Sequence, residues 1–243
     1  MNLIIDAGNT KAKLAVFECG KIIFIVKVEL KNALKEIEKT FLLYPKIKKV
    51  ISSSVSKLNK EQLKTVFKDV VWLVLDYKTK IPFKNLYKTP KTLGVDRIAL
   101  IANAVNEHVN NNVLVIDAGT CITYDFINSN SEYFGGSIAP GLNLRYKSLS
   151  DYTENLPLLN PEYSSSLIGN STKNAIHAGV SNGLIAEING VIAEFSNNYK
   201  QLVVILTGGD AVFLSKRLKS GIFVDPCFLL KGLNYILEYT TSK

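Results

Sequence analysis

What the chain has little of narrows its chemistry first. Cysteine is scarce: Cys19, Cys121 and Cys227 are odd in number and show no CxxC spacing. No disulfide or zinc framework is expected, and a reducing, cytoplasmic setting fits best. Histidine is scarcer still. His108 and His177 stand at no metal-ligating spacing from a cysteine or aspartate, so each is expected to be structural. No Ser-His-Asp arrangement is legible. No apolar run approaches the ~20 residues that a membrane-spanning helix needs. The N-terminus meets Asp6 after three apolar residues and lacks the basic start and long apolar core of a secretory leader. No GxGxxG follows the first expected strand and no GxxxxGK[ST] occurs, which argues against Rossmann and P-loop nucleotide sites. No proline- or serine-rich linker divides the chain.

What is present describes a globular chain. Its 243 residues are 47% hydrophobic and 21% charged, enough for one large domain or two small ones. The formal net charge is +8, but the lysines are scattered. Lys31, Lys35 and Lys39 recur at helical spacing among Glu36 and Glu38, and Lys46, Lys48 and Lys49 form the densest group. Without a helix-turn-helix, zinc-finger or aromatic-basic RNA motif, this reads as a solvated basic surface that also suits an anionic small ligand. Neither a nucleic-acid nor a membrane partner is expected.

Two stretches say nearly the same thing. Leu3-Ile4-Ile5-Asp6-Ala7-Gly8-Asn9-Thr10 and Leu114-Val115-Ile116-Asp117-Ala118-Gly119-Thr120 each run apolar, then Asp-Ala-Gly, then small polar residues. An apolar, β-prone segment resumes after each, so both read as hairpins, and their repetition implies two related domains facing a shared cleft. In the first half, strands are expected at 2–8, 12–18, 21–29, 49–55 and 70–75, the fourth ending in the cluster Ser52-Ser53-Ser54. Helices are expected at 30–43, 59–68 and 96–108, with a loop at 81–90. In the second half, strands are expected at 113–117, 121–128, 132–138 and 201–206. Helices are expected at 142–150, 171–197, 210–219 and 228–240. Gly179, Gly183 and Gly190 inside the long helix are expected to mark close packing, since each costs ~1 kcal/mol relative to alanine. The division falls between 1–109 and 110–243.

Several places carry candidate chemistry. The turn Asp6-Ala7-Gly8-Asn9-Thr10-Lys11 reads either as a plain hairpin turn or as a phosphate site. In the second reading Gly8 admits close backbone approach, Asn9 and Thr10 add donors, and Asp6 holds magnesium through water. In the other copy, Asp117 closes a strongly apolar strand, where a carboxylate is costly without a cation or donors. Thr120 and Thr123 are candidate phosphate contacts there, and Cys121 reads as a small filler. At Leu93-Gly94-Val95-Asp96-Arg97, Asp96 either caps a helix or accepts a proton from a hydroxyl nucleophile, and Arg97 can grip a carboxylate. Gly208-Gly209 lets a flat adenine or ribose lie against the backbone, or makes a tight strand-to-helix turn. The loop from Gly135 to Gly141 suits close approach or packing between subunits.

The set DxGNT at 6–10, NxYxxPxxLGxDR at 85–97, IDxGT at 116–120, GGxIxPG at 135–141 and TGG at 207–209 resembles the type III pantothenate kinases, within the acetate and sugar kinase, Hsp70 and actin superfamily. The resemblance spans the chain. It implies an α/β fold of two duplicated ribonuclease H-like (actin-like ATPase) domains, each a mixed five-stranded sheet flanked by helices. It implies ATP-dependent phosphorylation of pantothenate to 4'-phosphopantothenate, the first step of coenzyme A biosynthesis, by a homodimer. It assigns Asp6, Ala7, Gly8, Asn9, Thr10, Lys11, Ala12, Lys13 and Thr120 to ATP, with Mg2+ as companion. Asp117 resembles the ligand of a monovalent cation, K+ or NH4+. Asp96 resembles the proton acceptor, and Tyr87, Gly94, Val95, Asp96, Arg97 and Thr172 resemble the pantothenate contacts. Val95 stands where alanine is usual and Cys121 in a position often small, but neither touches a proposed chemical group. Another small-molecule kinase of the superfamily and a non-catalytic transcriptional accessory factor of the same fold are the competing readings.

Overall fold

Each Asp-Ala-Gly turn joins two antiparallel strands in the computed structural model, which describes residues 1–8, 10–54, 60–218 and 221–242. Asn9 lies outside the described residues, as do the expected element ends at Val55, Asn59 and Lys219. In the first half a meander of β1 (Asn2–Ala7), β2 (Lys11–Glu18) and β3 (Lys21–Glu29) comes first. A 3-10 turn at Leu30–Asn32 then leads into α1 (Ala33–Leu43). β4 (Lys49–Ser52) and β5 (Val71–Val74) flank α2 (Lys60–Val66) and add in parallel, giving the order β3-β2-β1-β4-β5. A two-residue β6 (Lys84–Asn85) and α3 (Val95–Glu107) follow. Leu3, Ile5, Leu14, Val16, Ile37 and Leu63 share one face and are wholly buried, so the apolar face of α1 covers the sheet.

The second half repeats the scheme. β7 (Asn112–Ala118), β8 (Cys121–Ile127) and β9 (Glu132–Pro140) form the meander. Then come α4 (Leu142–Asp151), α5 (Thr172–His177), α6 (Gly183–Asn198), β10 (Leu202–Thr207), α7 (Ala211–Ser215), β11 (Ile222–Val224) and α8 (Phe228–Thr241). The strands of this half run β9-β8-β7-β10-β11, the same order as the first set, with β10 parallel to β7 and β11 parallel to β10. Strand β11 was not expected, because three residues are too few to show a pattern.

Three expectations change. The helix expected over 171–197 is broken by a π-helical stretch at Ala178–Asn182. A side chain added at Gly179, Gly183 or Gly190 would meet nothing within 4 Å, so these glycines do not mark close packing within the described chain. Close packing lies instead at Gly232 of α8, where a Cβ would overlap the Ala99 carbonyl of α3. The compact units are Met1–Glu107 with Phe228–Lys243, and His108–Cys227. The 109/110 division places α8 with the second half, whereas its contacts run to α3, β1 and β4. Leu230, Leu233, Ile236 and Leu237 are buried there. Asn2 Nδ2 donates to Asn234 Oδ1 at 2.8 Å, and Lys49 Nζ meets Glu238 Oε2 at 2.9 Å. Gly232→Ala is expected to cost ~1–3 kcal/mol by overpacking, read as a lower urea midpoint at unchanged m-value. An unmoved midpoint would show that α3 and α8 part without cost.

Candidate active site

In the first unit the turn after β1 is built by short-range bonds. Register pairs Asp6 with Lys13 and Ala7 with Ala12, so the acid and the lysine stand side by side. Gly8 N donates to Lys11 O at 3.0 Å and closes the turn, while Leu30 N donates to Thr10 O at 2.9 Å. Ser53 completes it: its Oγ donates to Asp6 Oδ1 at 3.0 Å and accepts from Ala7 N at 3.1 Å. Ser53 was not singled out from sequence. The signal was the serine cluster ending a strand that lies parallel to β1.

Burial pushes the Asp6 carboxyl above the ordinary carboxylate range; the Ser53 hydrogen bond and Lys13 pull it down, and the charge of Asp96 pushes it up. Asp6 and Asp96 therefore feel one another within this unit. A raised native value means that Asp6 favours folding when protonated. That contribution is complete below the unfolded value near 3.8 and is lost as pH rises through the native one. Asp6→Asn should therefore raise the Tm of the ligand-free protein at pH 7 and flatten its decline as pH rises above the unfolded value near 3.8. A lower Tm for the variant at pH 7 counts against this account.

Asp96 stands in the first turn of α3, where its Oδ1 accepts from Arg97 N at 2.8 Å. That satisfies an amide with no intrahelical partner, and the acid suits the positive end of the helix. Gly94 makes room for it, since a Cβ there would overlap Asp96 Oδ1. Arg97 is only 5% exposed, and its guanidinium lies 5.5 Å from the centre of the Tyr87 ring. Tyr87, Gly94, Asp96 and Arg97 are thus assembled in one place, with Val95 opening the helix. The helix-end role of Asp96 is real, and it occupies one carboxylate oxygen.

In the second unit Asp117, one residue before the end of β7, stands opposite Thr123 in the β7–β8 register. Thr123 Oγ1 is buried and has no hydrogen-bond partner among the described residues. Gly208, at φ +97°, lies directly against this point; a Cβ there would overlap Asp117 Oδ1 and the Ala118 carbonyl. Asp210 N donates to Ala118 O at 2.9 Å, and Gly141 N donates to Thr120 O at 3.0 Å. Three turns are thereby pinned around a cavity of about 430 Å³, bordered by Thr120, Gly209, Asp210, Asn143 and Lys147. Asn143 and Lys147, four residues apart on one face of α4, were not singled out from sequence. Thr172 is not at this cavity. It opens α5 beyond Ser171, whose Oγ accepts from Asn174 N at 3.3 Å, and it lines a separate cavity of about 640 Å³.

The family model of the type III pantothenate kinases matches residues 2–194. The chain belongs to that family. It is 44% identical to the type III pantothenate kinase of Christiangramia forsetii over 243 residues, covering the whole of both chains. It is 45% identical to that of Flavobacterium johnsoniae over 239 residues, covering 98% of each. Among solved structures it is similar to a Baf family protein from Campylobacter jejuni, at 24% identity, a TM-score of 0.66 and 98% coverage of each chain. It is also similar to a ROK family glucokinase from Streptomyces griseus, at 13% identity, a TM-score of 0.52 and 98% coverage of each chain. These likenesses show the fold: the mixed α/β, actin-like ATPase architecture that the motifs of a type III pantothenate kinase imply.

Proposed function

We propose that the protein transfers the γ-phosphoryl group of ATP to pantothenate, giving 4'-phosphopantothenate and ADP, as the first step of coenzyme A biosynthesis. The observation that carries this reading is the match of the family model over residues 2–194, with Asp96 at the start of α3 next to the buried Arg97 that faces Tyr87. In the step, the pantothenate O–H bond breaks and its proton passes to Asp96. The oxygen bonds the γ-phosphorus as the bond to the β-phosphate oxygen breaks. Phosphoryl transfer rests on positioning and charge neutralisation. In the first unit Gly8, Asn9, Thr10, Lys11 and Lys13 are the residues for the ATP phosphates; in the second, the family resemblance gives Thr120 a phosphate role, and Lys147 borders the same cavity. Tyr87 and Arg97 serve pantothenate in the first unit, with the Arg97 fork on its carboxylate, and the family resemblance assigns Thr172 to pantothenate as well.

The residues fit the proposed cations. Asp117 opposite the Thr123 hydroxyl, which has no partner among the described residues, supplies oxygens that could ligate K+ or accept hydrogen bonds from NH4+. Among the described residues no three His, Cys, Asp or Glu side chains converge as a metal cage. Asp6 is the residue that would hold magnesium, through water and beside phosphate oxygens as is usual for a nucleotide-bound ion, and the ion would neutralise phosphate charge. A cytoplasmic homodimer is proposed with this function, on the family resemblance; no described helix is long and apolar enough to cross a membrane.

The test is pantothenate-dependent ADP release, run in parallel with potassium, ammonium and sodium salts. Turnover should need pantothenate and fall at least about tenfold in sodium alone, as expected for losing a charge-neutralising ion worth more than ~1.4 kcal/mol. Turnover with a sugar but not with pantothenate would move the protein to another kinase of the superfamily. No turnover, together with salt-sensitive DNA binding, would favour the non-catalytic reading.

A further inference from the structure

The 640 Å³ cavity of the second unit has two walls. Arg145 and Leu149 of α4 form one, and Thr172 and Ile176 of α5 with Val180 form the other. Behind these walls, turned away from the cavity lining, lies a polar group that the proposed chemistry does not use. Tyr146, His177 and Ser181 are 1%, 4% and 2% exposed. The Tyr146 hydroxyl is 2.9 Å from His177 Nδ1 and 3.1 Å from Ser181 Oγ. The Ser181 hydroxyl donates to the Glu162 carbonyl at 2.6 Å. His177 Nε2, also buried, has no hydrogen-bond partner among the described residues and lies 3.4 Å from Glu162 Oε2. Lys173 Nζ is 3.4 Å from the same oxygen.

Such a group is costly to bury and directional once satisfied. It joins α4 to the junction of α5 with the π-helical stretch, and both to the segment before α5. π-Helical stretches concentrate at functional sites, and here Ser181 and Asn182 of that stretch both reach carbonyls of the preceding segment, those of Glu162 and Ser166. Apolar packing alone sets wall spacing loosely. The Tyr146–His177 bond ties α4 to the end of α5 at a fixed length, five positions after Thr172 on the facing wall.

We propose that His177 is a positioning residue: through Tyr146 and Ser181 it fixes the two walls of this cavity, and so sets the affinity for the amphipathic acid that Thr172 contacts, without touching that substrate. This rests on the reading above, in which the acid is pantothenate. The test is steady-state kinetics of His177→Ala, Tyr146→Phe and His177→Asn, the last placing an amide oxygen where Nδ1 stands. The two disrupting variants should raise KM for pantothenate about tenfold, leave KM for ATP and kcat within about twofold, and fail to add when combined. His177→Asn should recover most of the affinity. Tyr146→Phe keeps the ring and its packing, so it reads the bond even where His177→Ala folds poorly. An unchanged KM for pantothenate in Tyr146→Phe, or equal changes for both substrates, would overturn the inference while leaving the function standing. A wild type that does not turn over pantothenate removes both.

Discussion

Asp96→Asn is expected to lower kcat for pantothenate phosphorylation by about 100-fold or more, the loss typical of a missing general base, equivalent to ~2.7 kcal/mol of barrier. The change is chosen because it leaves the rest of the site alone. The asparagine carbonyl can keep the hydrogen bond from Arg97 N that Asp96 Oδ1 accepts at 2.8 Å, so the first turn of α3 stays closed. Gly94 still leaves it room, and Arg97 still faces Tyr87. What goes is the carboxylate's ability to take a proton, together with its charge. KM for pantothenate should therefore stay within a few-fold while kcat falls, the pattern of an interaction made only in the transition state. A second consequence separates a charge effect from damage. Asp96 pushes the Asp6 carboxyl up, so in the variant Asp6 should titrate lower than in the wild type by NMR. Near-normal kcat would remove Asp96 from the role of base.

Gly208→Ala should reduce activity on the order of 100-fold through ~3 kcal/mol of combined strain and displacement, although no proposed phosphate or pantothenate contact is altered. Two causes act together. The backbone at φ +97° is one that side chains rarely adopt. The added methyl would also overlap Asp117 Oδ1 and the Ala118 carbonyl, the latter fixed in the backbone. The methyl can be accommodated only by moving the Asp117 carboxylate or by lifting the 207–210 turn off β7, breaking the bond from Asp210 N to Ala118 O. Either outcome disturbs the proposed monovalent-cation position and one border of the 430 Å³ cavity. Raising potassium should restore part of the activity if the carboxylate is merely displaced. Gly209→Ala is the control, because a Cβ there meets nothing within 4 Å and φ is not left-handed. Equal activity in wild type and Gly208→Ala would show that the turn yields without cost.

How far the chain could be read from its residues followed the range of the interactions involved. The two meanders were legible because their determinants are neighbours: apolar alternation, an Asp-Ala-Gly turn, and resumed alternation. The start of α3 was legible from Asp96 and Arg97 shortly after Gly94. The three-residue β11 was not, since it exists by pairing with β10. Nor was the π-helical stretch at Ala178–Asn182, where a continuous apolar period conceals one extra residue per turn. The glycines of that helix misled for a related reason. A glycine is equally a place of close approach and a place with nothing opposite it, and only the neighbours in space tell which.

By itself the sequence determined the family, the two Asp-Ala-Gly turns, the placement of Asp6, Asp96 and Asp117 at element ends, and most of the elements. These depend on motif order and on local periodicity, both written along the chain. Tertiary structure alone decided that α8 packs with the first unit, that Ser53 holds Asp6, that Thr123 Oγ1 is buried opposite Asp117 with no partner among the described residues, and that Lys147 borders a cavity with Thr120. Each of these joins positions distant in sequence or on different elements. Burial, charge and unmet hydrogen bonds act through space, so the partner that answers them appears only when the chain is folded.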